Sequence, residues 1–128
     1  MTIILKVRYG LLADFDLHQP TEKFEFISGD GRAGTQIQLN SGLTIGRSGS
    51  DLLIAPAMTC VSRMHCQINS PLLGEWNIQD LGSKFGTFLK IEDNLMKLQP
   101  NEEVALQKGS IIILGDPRND RRVELEVE

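Results

Sequence analysis

The stretch IQLNSGLTI, residues 37–45, shows the pattern on which the fold of this chain depends. Ile37 and Leu39 alternate with polar residues, and after Gly42 the same alternation resumes with Leu43 and Ile45. Successive side chains of a β-strand point to opposite faces of a sheet, so a period of two places these apolar side chains on one face. The stretch therefore predicts two short strands separated by a turn.

The same alternation recurs along most of the chain, whereas the helical period of 3.6 is almost absent. It begins with Ile3, Leu5 and Val7 near the N-terminus. Further predicted strands are 24–26, 52–54, 64–68, 76–78, 87–89, 104–106, 111–114 and 123–127. The 12 glycines and 5 prolines fall mostly between these runs, as turn residues do. About ten strands without a convincing helix predict an antiparallel β-sandwich or barrel.

Length and composition predict a single globular domain spanning residues 1–128. A chain of 128 residues can form one hydrophobic core but is short for two. Hydrophobic residues make up 41% and charged residues 23%, which is typical of a folded domain and not of a disordered chain. The net charge of −4 offers no overall positive field to nucleic acid or to an anionic membrane, so any anion site must be local.

The cysteines and the N-terminal segment predict an intracellular, cytoplasmic protein. Cys60 and Cys66 are too few for the disulfide framework of a small secreted domain, so we expect two free thiols in a reducing compartment. Lys6 and Arg8 interrupt the first apolar run before it reaches the length of a signal-peptide core. No other run approaches the length of a membrane span.

Two segments look like ligand sites but are better explained as loops. Residues 29–34, GDGRAG, match the letters of G-x-G-x-x-G, yet a strand pattern follows where pyrophosphate binding needs the N-terminus of a helix. Residues 9–23 contain Asp14, Asp16 and His18, but no matching ligands occur elsewhere in the chain. We therefore predict a loop or insertion at 9–23, and we expect neither a metal nor a cofactor.

Three polar clusters between residues 42 and 115 each carry a cation. They read GRSGSD (46–51), CVSRMH (60–65) and DLGSKFGT (80–87). Two arginines, one lysine, several hydroxyls and glycine-freed backbone N–H groups are donors that suit the oxygens of a phosphate. On composition alone, such cations are more simply explained as solvated surface residues, and their spacing does not decide between the two interpretations.

Taken in order, GR (46–47), SRMH (62–65) and DLGSKFGT (80–87) resemble the forkhead-associated (FHA) domain family, whose pattern is G-R, S-R-x-H and D-x-x-S-x-N-G-T. The resemblance continues through VALQKGSIIILG at 104–115 and covers residues 42–115. It implies an all-β fold, an antiparallel β-sandwich of about eleven strands, in agreement with the strand pattern above. It also implies a domain that binds phosphothreonine peptides through loops at one end of the sandwich and has no enzymatic activity.

The resemblance implies phosphopeptide contacts for residues of all three clusters. Arg47 would pair with the phosphate, and Ser62 would hydrogen-bond to it. Arg63 would add a backbone N–H or side-chain contact nearby, and Lys84 would supply a second cation. The candidate walls of the pocket for the threonine methyl group are Ser83 and Phe85.

Four further residues are expected to support these loops: Gly46, His65, Gly86 and Thr87. Gly46 would let the backbone turn tightly beside the arginine. In the predicted strand 64–68, Met64 shares one face with Cys66 and Ile68, so His65 would face the loops and hold one of them by a hydrogen bond. The other two residues would shape the third loop.

Phe85 departs from the family pattern, because it stands where the family usually has an asparagine that hydrogen-bonds the backbone of the peptide. A phenyl ring cannot form that bond. Some family members, nibrin-like ones among them, also carry an aromatic residue after Ser-Lys, so the change is compatible with binding. The ring either packs over the end of the sandwich or contacts the peptide, and the sequence leaves both alternatives open.

The sequence thus predicts a phosphothreonine-dependent interaction module in signalling, with a phosphothreonine-containing protein as its partner. The alternative is a phosphate-independent scaffold or oligomerisation domain on the same fold, with weak self-association through Phe85. A hydrolase using Ser62 and His65 is disfavoured, because Ser-x-x-His on one extended segment splays the two side chains and no nucleophile elbow accompanies them. We expect neither nucleic acid nor a membrane as a partner.

Overall fold

The structure, a computed structural model, describes residues 2–13, 22–70 and 74–128. Twelve β-strands occur there, and most of them carry alternating apolar residues. The strands are β1 (Ile3–Tyr9), β2 (Phe24–Ser28), β3 (Gln36–Leu39), β4 (Leu43–Gly46), β5 (Leu52–Leu53), β6 (Cys66–Asn69), β7 (Asn77–Asp80), β8 (Thr87–Ile91), β9 (Asn94–Lys97), β10 (Glu103–Ala105), β11 (Ile111–Leu114) and β12 (Val123–Val127). No helix occurs within the described ranges, so none there could cross a membrane.

The strands form two sheets of a β-sandwich, which confirms the predicted fold class. The larger sheet has seven strands in the order β2-β3-β1-β12-β11-β8-β9, and the smaller has five in the order β10-β7-β6-β4-β5. One pair departs from the expected antiparallel arrangement, because the two-residue strand β5 runs parallel to β4. The N–H of Ile54, just after β5, also donates a hydrogen bond of 2.8 Å to the carbonyl of Gly46.

Apolar side chains from both sheets share one core. Leu5 and Val7 of the larger sheet are fully buried, as are Ile45, Ile68 and Ile78 of the smaller sheet. Polar residues between them stay partly exposed, as the alternation predicts. Burying one such aliphatic side chain stabilises the fold by about 1.5–3 kcal/mol, so the hydrophobic alternation is also the main energetic reason for the sandwich.

Two elements differ from the prediction. β9, at the edge of the larger sheet, was not predicted, because all four of its residues are exposed and no hydrophobic alternation marks it. The strand expected at 64–68 begins instead at Cys66. Met64 is 50% exposed and does not share the core face with Cys66, because the residues before Cys66 belong to a loop that carries the candidate site.

The loop expected at 9–23 is described in part, and the loop expected at 29–34 is described in full. Residues 29–34 join the antiparallel strands β2 and β3, as expected of a glycine-rich connection. β1 extends to Tyr9, and Leu12 forms a bridge with Ile54, so the first residues of the expected insertion lie in ordered contacts. The acidic and histidine residues at 14–18 lie outside the described residues. Within the described ranges, no group of three or more His, Cys, Asp or Glu is placed to hold a metal.

Both cysteines are buried and free. Burial raises the pKa of the Cys66 thiol above its ordinary value, because a thiolate in the core would lose its hydration. Cys66 is therefore a packing residue and not a reactive thiol.

The sandwich has two distinct ends. Gly46, Cys66 and Asp80 lie next to one another at one end, where Ile45 pairs with Cys66 and Cys66 pairs with Asp80. Ile3 and Val127 lie at the other end, where they line a groove with Asn77 at the start of β7. The three polar clusters of the sequence therefore meet at one end of the molecule, away from Ile3 and Val127.

Candidate functional site

Arg47 follows β4 directly, and its backbone and side chain are both anchored to the loop before β6. Its N–H donates a hydrogen bond of 3.1 Å to the carbonyl of Ser62. Its Nε donates to the carbonyl of Val61, and the residue is half-buried. The guanidinium therefore has a fixed position beside Ser62, which reduces the entropy that binding an anion would cost.

Asp51 closes the loop that carries Arg47. Its carboxylate accepts a hydrogen bond of 3.0 Å from the N–H of Thr44, and its own N–H donates to the hydroxyl of Thr44 at 3.0 Å. Lys23 adds an ion pair of 3.1 Å. The backbone hydrogen bond from Thr44 lowers the pKa of Asp51, with Lys23 contributing in the same direction. The loop is therefore joined to β4 at its far end as well.

Gly46 is needed for a close approach, not for the tight turn that the sequence predicted. It lies within β4, and a Cβ at this position would overlap the carbonyl oxygen of Arg63. That carbonyl accepts hydrogen bonds from the N–H of Ser48, at 3.1 Å, and from the hydroxyl of Ser50, at 2.9 Å. The absence of a side chain at Gly46 thus lets the Arg47 loop and the Ser62 loop lie in direct contact.

Ser62 connects Arg47 to the loop of the third cluster, residues 80–87, which is called the third loop. Its carbonyl accepts from the N–H of Arg47, and its hydroxyl oxygen accepts a hydrogen bond of 3.0 Å from the N–H of Lys84. A hydroxyl can accept and donate at once. Within the described part of the chain no acceptor takes its hydrogen, so Ser62 can still donate to an anion lying between Arg47 and Lys84.

His65 is fully buried and bonds to two of the three loops. Its Nδ1 accepts a hydrogen bond of 2.9 Å from the N–H of Ser62, so the ring proton lies on Nε2, which donates to the carbonyl of Gly86 at 2.9 Å. Burial lowers the pKa of His65 below its ordinary value, although the bond to Gly86 acts in the opposite direction. The ring is thus neutral, with both nitrogens bonded to the backbone.

Asp80 organises the third loop, a role that was not predicted from the sequence. Its Oδ2 accepts from the N–H groups of Gly82, at 3.0 Å, and Ser83, at 3.2 Å. Its Oδ1 accepts from the hydroxyls of Ser83, at 2.5 Å, and Thr87, at 2.7 Å. The signal was present, because a carboxylate followed two and three residues later by Gly and Ser is typical of a side-chain-closed turn.

Lys84 and Phe85 lie at the exposed tip of the third loop. Phe85 is 41% exposed, and the ammonium of Lys84 lies 5.3 Å from the centroid of its ring. Gly86, at a φ of +92°, provides the left-handed backbone conformation that ends the loop. Phe85 therefore stays accessible and does not pack into the sandwich.

In the part of the chain that the structure describes, the three cations of the site have no carboxylate partners. Among the described residues, the ion pairs are Arg8–Glu126, Lys23–Asp51, Arg118–Asp116 and Arg122–Glu124, none of which involves Arg47, Arg63 or Lys84. Arg63 contributes its carbonyl to the loop contacts, while its exposed side chain makes no hydrogen bond within the described ranges. The backbone bonds bring Arg47, Ser62 and Lys84 together as a local cationic site on an acidic protein.

A family model and several solved structures match this chain. The family model described as FHA domain matches residues 43–115, more than half of the chain. No curated protein sequence matches the chain significantly.

Solved structures extend the match to the whole chain. The FHA domain of a hypothetical protein from Arabidopsis thaliana shows 27% identity and a TM-score of 0.66, over 99% of this chain and 84% of that chain. The N-terminal FHA domain of Rad53p from S. cerevisiae, solved in complex with a phosphothreonine peptide, shows 25% identity and a TM-score of 0.57, over 68% and 66%. The FHA domain of the CT664 protein from Chlamydia trachomatis, at 18% identity and a TM-score of 0.62 over 99% and 96%, shares the fold. With its family match, its two-sheet architecture and its clustered loops, the chain belongs to the FHA domain family.

Proposed function

We propose that this chain is a phosphothreonine-dependent peptide-binding module that mediates a regulated protein–protein interaction. The observation that carries the proposal is the position of Ser62, whose backbone carbonyl is bonded to Arg47 and whose hydroxyl is bonded to the backbone of Lys84. Among the described residues neither Arg47 nor Lys84 has an ion pair and no acceptor takes the Ser62 hydroxyl hydrogen, so these groups are available to an anion at this end of the sandwich. The similarity to the Rad53p domain, solved with a phosphothreonine peptide, supports the same ligand class.

The chemistry of a phosphate fits this site. A phosphorylated threonine carries about −1.5 to −2 charges at pH 7 and three acceptor oxygens. Hydrogen bonds to charged groups contribute about 1.5–3 kcal/mol each, so three or four of them, less the cost of ordering a peptide, give an affinity of about micromolar. Removing the phosphate removes most of this attraction, which makes the interaction switchable by a kinase and a phosphatase.

The proposal is tested by titrating one peptide sequence in phosphothreonine, phosphoserine and unmodified forms. We expect the phosphothreonine form to bind most tightly and the unmodified form to show no measurable binding. Arg47→Ala should weaken phosphothreonine binding by about tenfold or more, because one charged hydrogen-bonding group is lost. Arg32→Ala, at an exposed arginine between β2 and β3, is the matched control and should bind as the wild type does. Equal binding of all three peptides contradicts the proposal.

A phosphate-independent scaffold is the second candidate, and the 41% exposure of Phe85 favours it. It predicts a concentration-dependent dimer that Phe85→Asp dissociates and Arg47→Ala leaves intact. Sedimentation of the wild type, Phe85→Asp and Arg47→Ala over a range of concentrations distinguishes the two candidate functions, since phosphopeptide binding requires no dimer.

The proposal includes no catalytic step. His65 contacts the backbone of Ser62 and Gly86, so both of its nitrogens are already bonded and neither is free to take a proton from the Ser62 hydroxyl. We place the module, as a single domain, inside the cell and in the cytoplasm. Its two free thiols fit a reducing compartment.

A further inference from the structure

A groove lies at the end of the sandwich away from the three cationic clusters. Its lining includes Ile3 at the start of β1 and Val127 at the end of β12, both in the larger sheet. From the smaller sheet it includes Asn77 at the start of β7 and Ala105 at the end of β10. The groove has a volume of about 370 Å³ and is called the Trp76 groove below. Because both sheets contribute to it, the groove lies across the boundary between them.

The walls of the Trp76 groove are apolar and belong to the fold itself. Trp76 and Val127 are buried, and Ile3 and Leu106 are partly buried and pack against the core. The carbonyl of Trp76 accepts a hydrogen bond of 2.8 Å from the N–H of Leu106, which fixes these two residues relative to each other. A concave surface that is already formed and has apolar walls is typical of a binding site.

The indole of Trp76 gives the groove an unpaired hydrogen-bond donor. Trp76 is 5% exposed, and its Nε1 is the only buried side-chain nitrogen or oxygen among the described residues that has no hydrogen-bond partner. Buried polar groups are nearly always paired, because an unpaired one loses its bonds to water without replacement. Nε1 is closed to water, so pairing with a ligand needs a small turn of the indole, for which the groove leaves space.

The charged groups that line the groove are Glu75, Lys108 and Glu128, all of them exposed. Glu128 already accepts a hydrogen bond of 2.8 Å from Gln36. In the part of the chain that the structure describes, neither Glu75 nor Lys108 forms an ion pair. Carboxylates outnumber ammonium groups here, so a cationic group on the occupant complements the charge of the rim, and Glu75 is available to pair with it.

We propose that the Trp76 groove is a second peptide-binding site, which takes an aliphatic side chain and an adjacent basic residue of a partner protein. A backbone carbonyl of that segment would accept the hydrogen bond of the Trp76 indole, and the basic residue would lie at Glu75. A peptide supplies a carbonyl, an aliphatic group and a cation within two residues, which the donor, the apolar walls and the rim together require. The site lies at the other end of the molecule from Arg47, so one module would hold two partners at once, the second independently of phosphorylation.

The first experiment observes the groove through its own tryptophan. Trp76 is the only tryptophan of the chain, so the indole N–H gives a single resonance in a ¹H–¹⁵N spectrum of the full protein. We titrate with the blocked peptide acetyl-Gly-Leu-Arg-Gly-amide and with the same peptide in the order Arg-Leu. With at least one order, the indole proton should shift downfield and saturate, because it gains an acceptor.

Two further peptides test the chemistry of the occupant. Replacing leucine by alanine should weaken binding by about tenfold, because one aliphatic side chain is no longer buried. Replacing arginine by glutamate should weaken it several-fold, with the difference shrinking at high salt. NMR titration detects millimolar binding, which is about the affinity expected from one buried side chain and one paired charge.

Variants then locate the preference for arginine. Glu75→Gln should remove most of the arginine-over-glutamate ratio, because it removes the carboxylate that pairs with the cation. Glu102→Gln is the matched control, since Glu102 is exposed and lies before β10, next to Asn101, whose N–H donates a hydrogen bond of 2.8 Å to the carbonyl of Asp80 at the other end of the sandwich. It should keep the full ratio. Both glutamates are exposed, so neither change should impair folding.

Several outcomes would overturn the inference. It is wrong if no peptide moves the indole resonance, if leucine and alanine peptides bind equally, or if the two glutamine variants change the ratio equally. Displacement of the peptide by a phosphothreonine peptide would place it at the Arg47 site instead. A concentration-dependent shift of the indole resonance without peptide would assign the groove to a second copy of the chain. Phosphothreonine binding at Arg47 is measured with different peptides, so none of these results decides the proposed function.

Discussion

His65 fixes the relative position of two loops with one neutral ring. It accepts a hydrogen bond from Ser62 and donates one to Gly86, and protonation of Nδ1 would break the bond to Ser62, because Nδ1 would then become a donor facing a donor. Ser62, a candidate phosphate contact, is therefore held by a titratable group whose pKa is lowered by burial.

We predict that His65 makes the protein less stable in mild acid. Burial lowers its folded pKa below the ordinary value of 6.5, so below that pH the unfolded chain binds a proton that the folded chain does not. The free energy of unfolding should fall as pH decreases through 6.5 and level off once pH passes below the folded pKa. Urea unfolding over a series of pH values measures this dependence.

His65→Gln provides the comparison for this pH series. It should lower stability near neutral pH by about 1–3 kcal/mol, because backbone groups of the two loops lose their partner. It should also flatten the pH dependence in the acid range relative to the wild type. An unchanged slope in His65→Gln would show that another group titrates there.

For single residues, the sequence predicted which residues form the candidate site better than it predicted the contacts that position them. Arg47, Ser62 and Lys84 could be named because a family pattern carries them. The anchoring of Arg47 to the carbonyl of Val61 could not be predicted, since a backbone group carries no side-chain signal. The function of Gly46 was also missed, because the close approach to Arg63 involves residues far apart in the sequence.

Among the elements, the loop between β7 and β8 is organised from within by one buried carboxylate. Asp80 is 2% exposed and accepts hydrogen bonds from two backbone N–H groups and two hydroxyls. These bonds set the path of the segment that carries Lys84 and Phe85. The conformation of the third loop thus depends on a buried residue that is itself closed to solvent.

We predict that Asp80→Asn weakens both stability and peptide binding. The asparagine side chain has the same size, but its NH₂ group would face groups that already donate hydrogen bonds. This should lower the free energy of unfolding by about 1–3 kcal/mol. Displacement of the loop should also weaken phosphothreonine binding by about tenfold, since the Lys84 N–H would no longer meet Ser62. Denaturant unfolding and peptide titration measure the two effects. Asp93→Asn, at an exposed turn, is the control and should change neither.

The elements themselves were predictable where one face is buried. β1 was predicted because Leu5 and Val7 are buried while Lys6 between them is not. β9 was not predicted, because its four exposed residues form a strand only through pairing with β8. The strand at Cys66 was predicted to begin too early, because Met64 extends the apolar period without being buried. Apolar periodicity indicates which side chains are buried, so it does not predict an exposed strand at the edge of a sheet or the residue at which a strand begins after a loop.

For the molecule as a whole, the net charge is negative, whereas the local charge of the candidate site is positive. The chain carries −4, whereas Arg47, Arg63 and Lys84 form no ion pairs among the described residues. At about 0.1 M salt the Debye length is ~10 Å, so a bound phosphate is attracted by the nearby cations and only weakly repelled by distant carboxylates.

We predict that phosphothreonine affinity falls as salt concentration rises, and that Lys84→Gln reduces this dependence. The neutral glutamine removes one nearby charge and should weaken binding by about three- to tenfold at low salt. Lys90→Gln, at an exposed position on β8, is the control and should keep the wild-type slope. Titrations at several salt concentrations measure the slopes, and an equal reduction by both variants would mean that net charge, not the site, governs affinity.

The pairing of β1 with β12 places the first and last strands of the chain side by side, with Ile3 and Val127 at the end of the sandwich that lies away from the loops. A fluorophore, a surface tether or a fused protein attached beside Ile3 or Val127 would therefore leave the candidate site open. Several copies immobilised through this end of the sandwich would all present the candidate site outward.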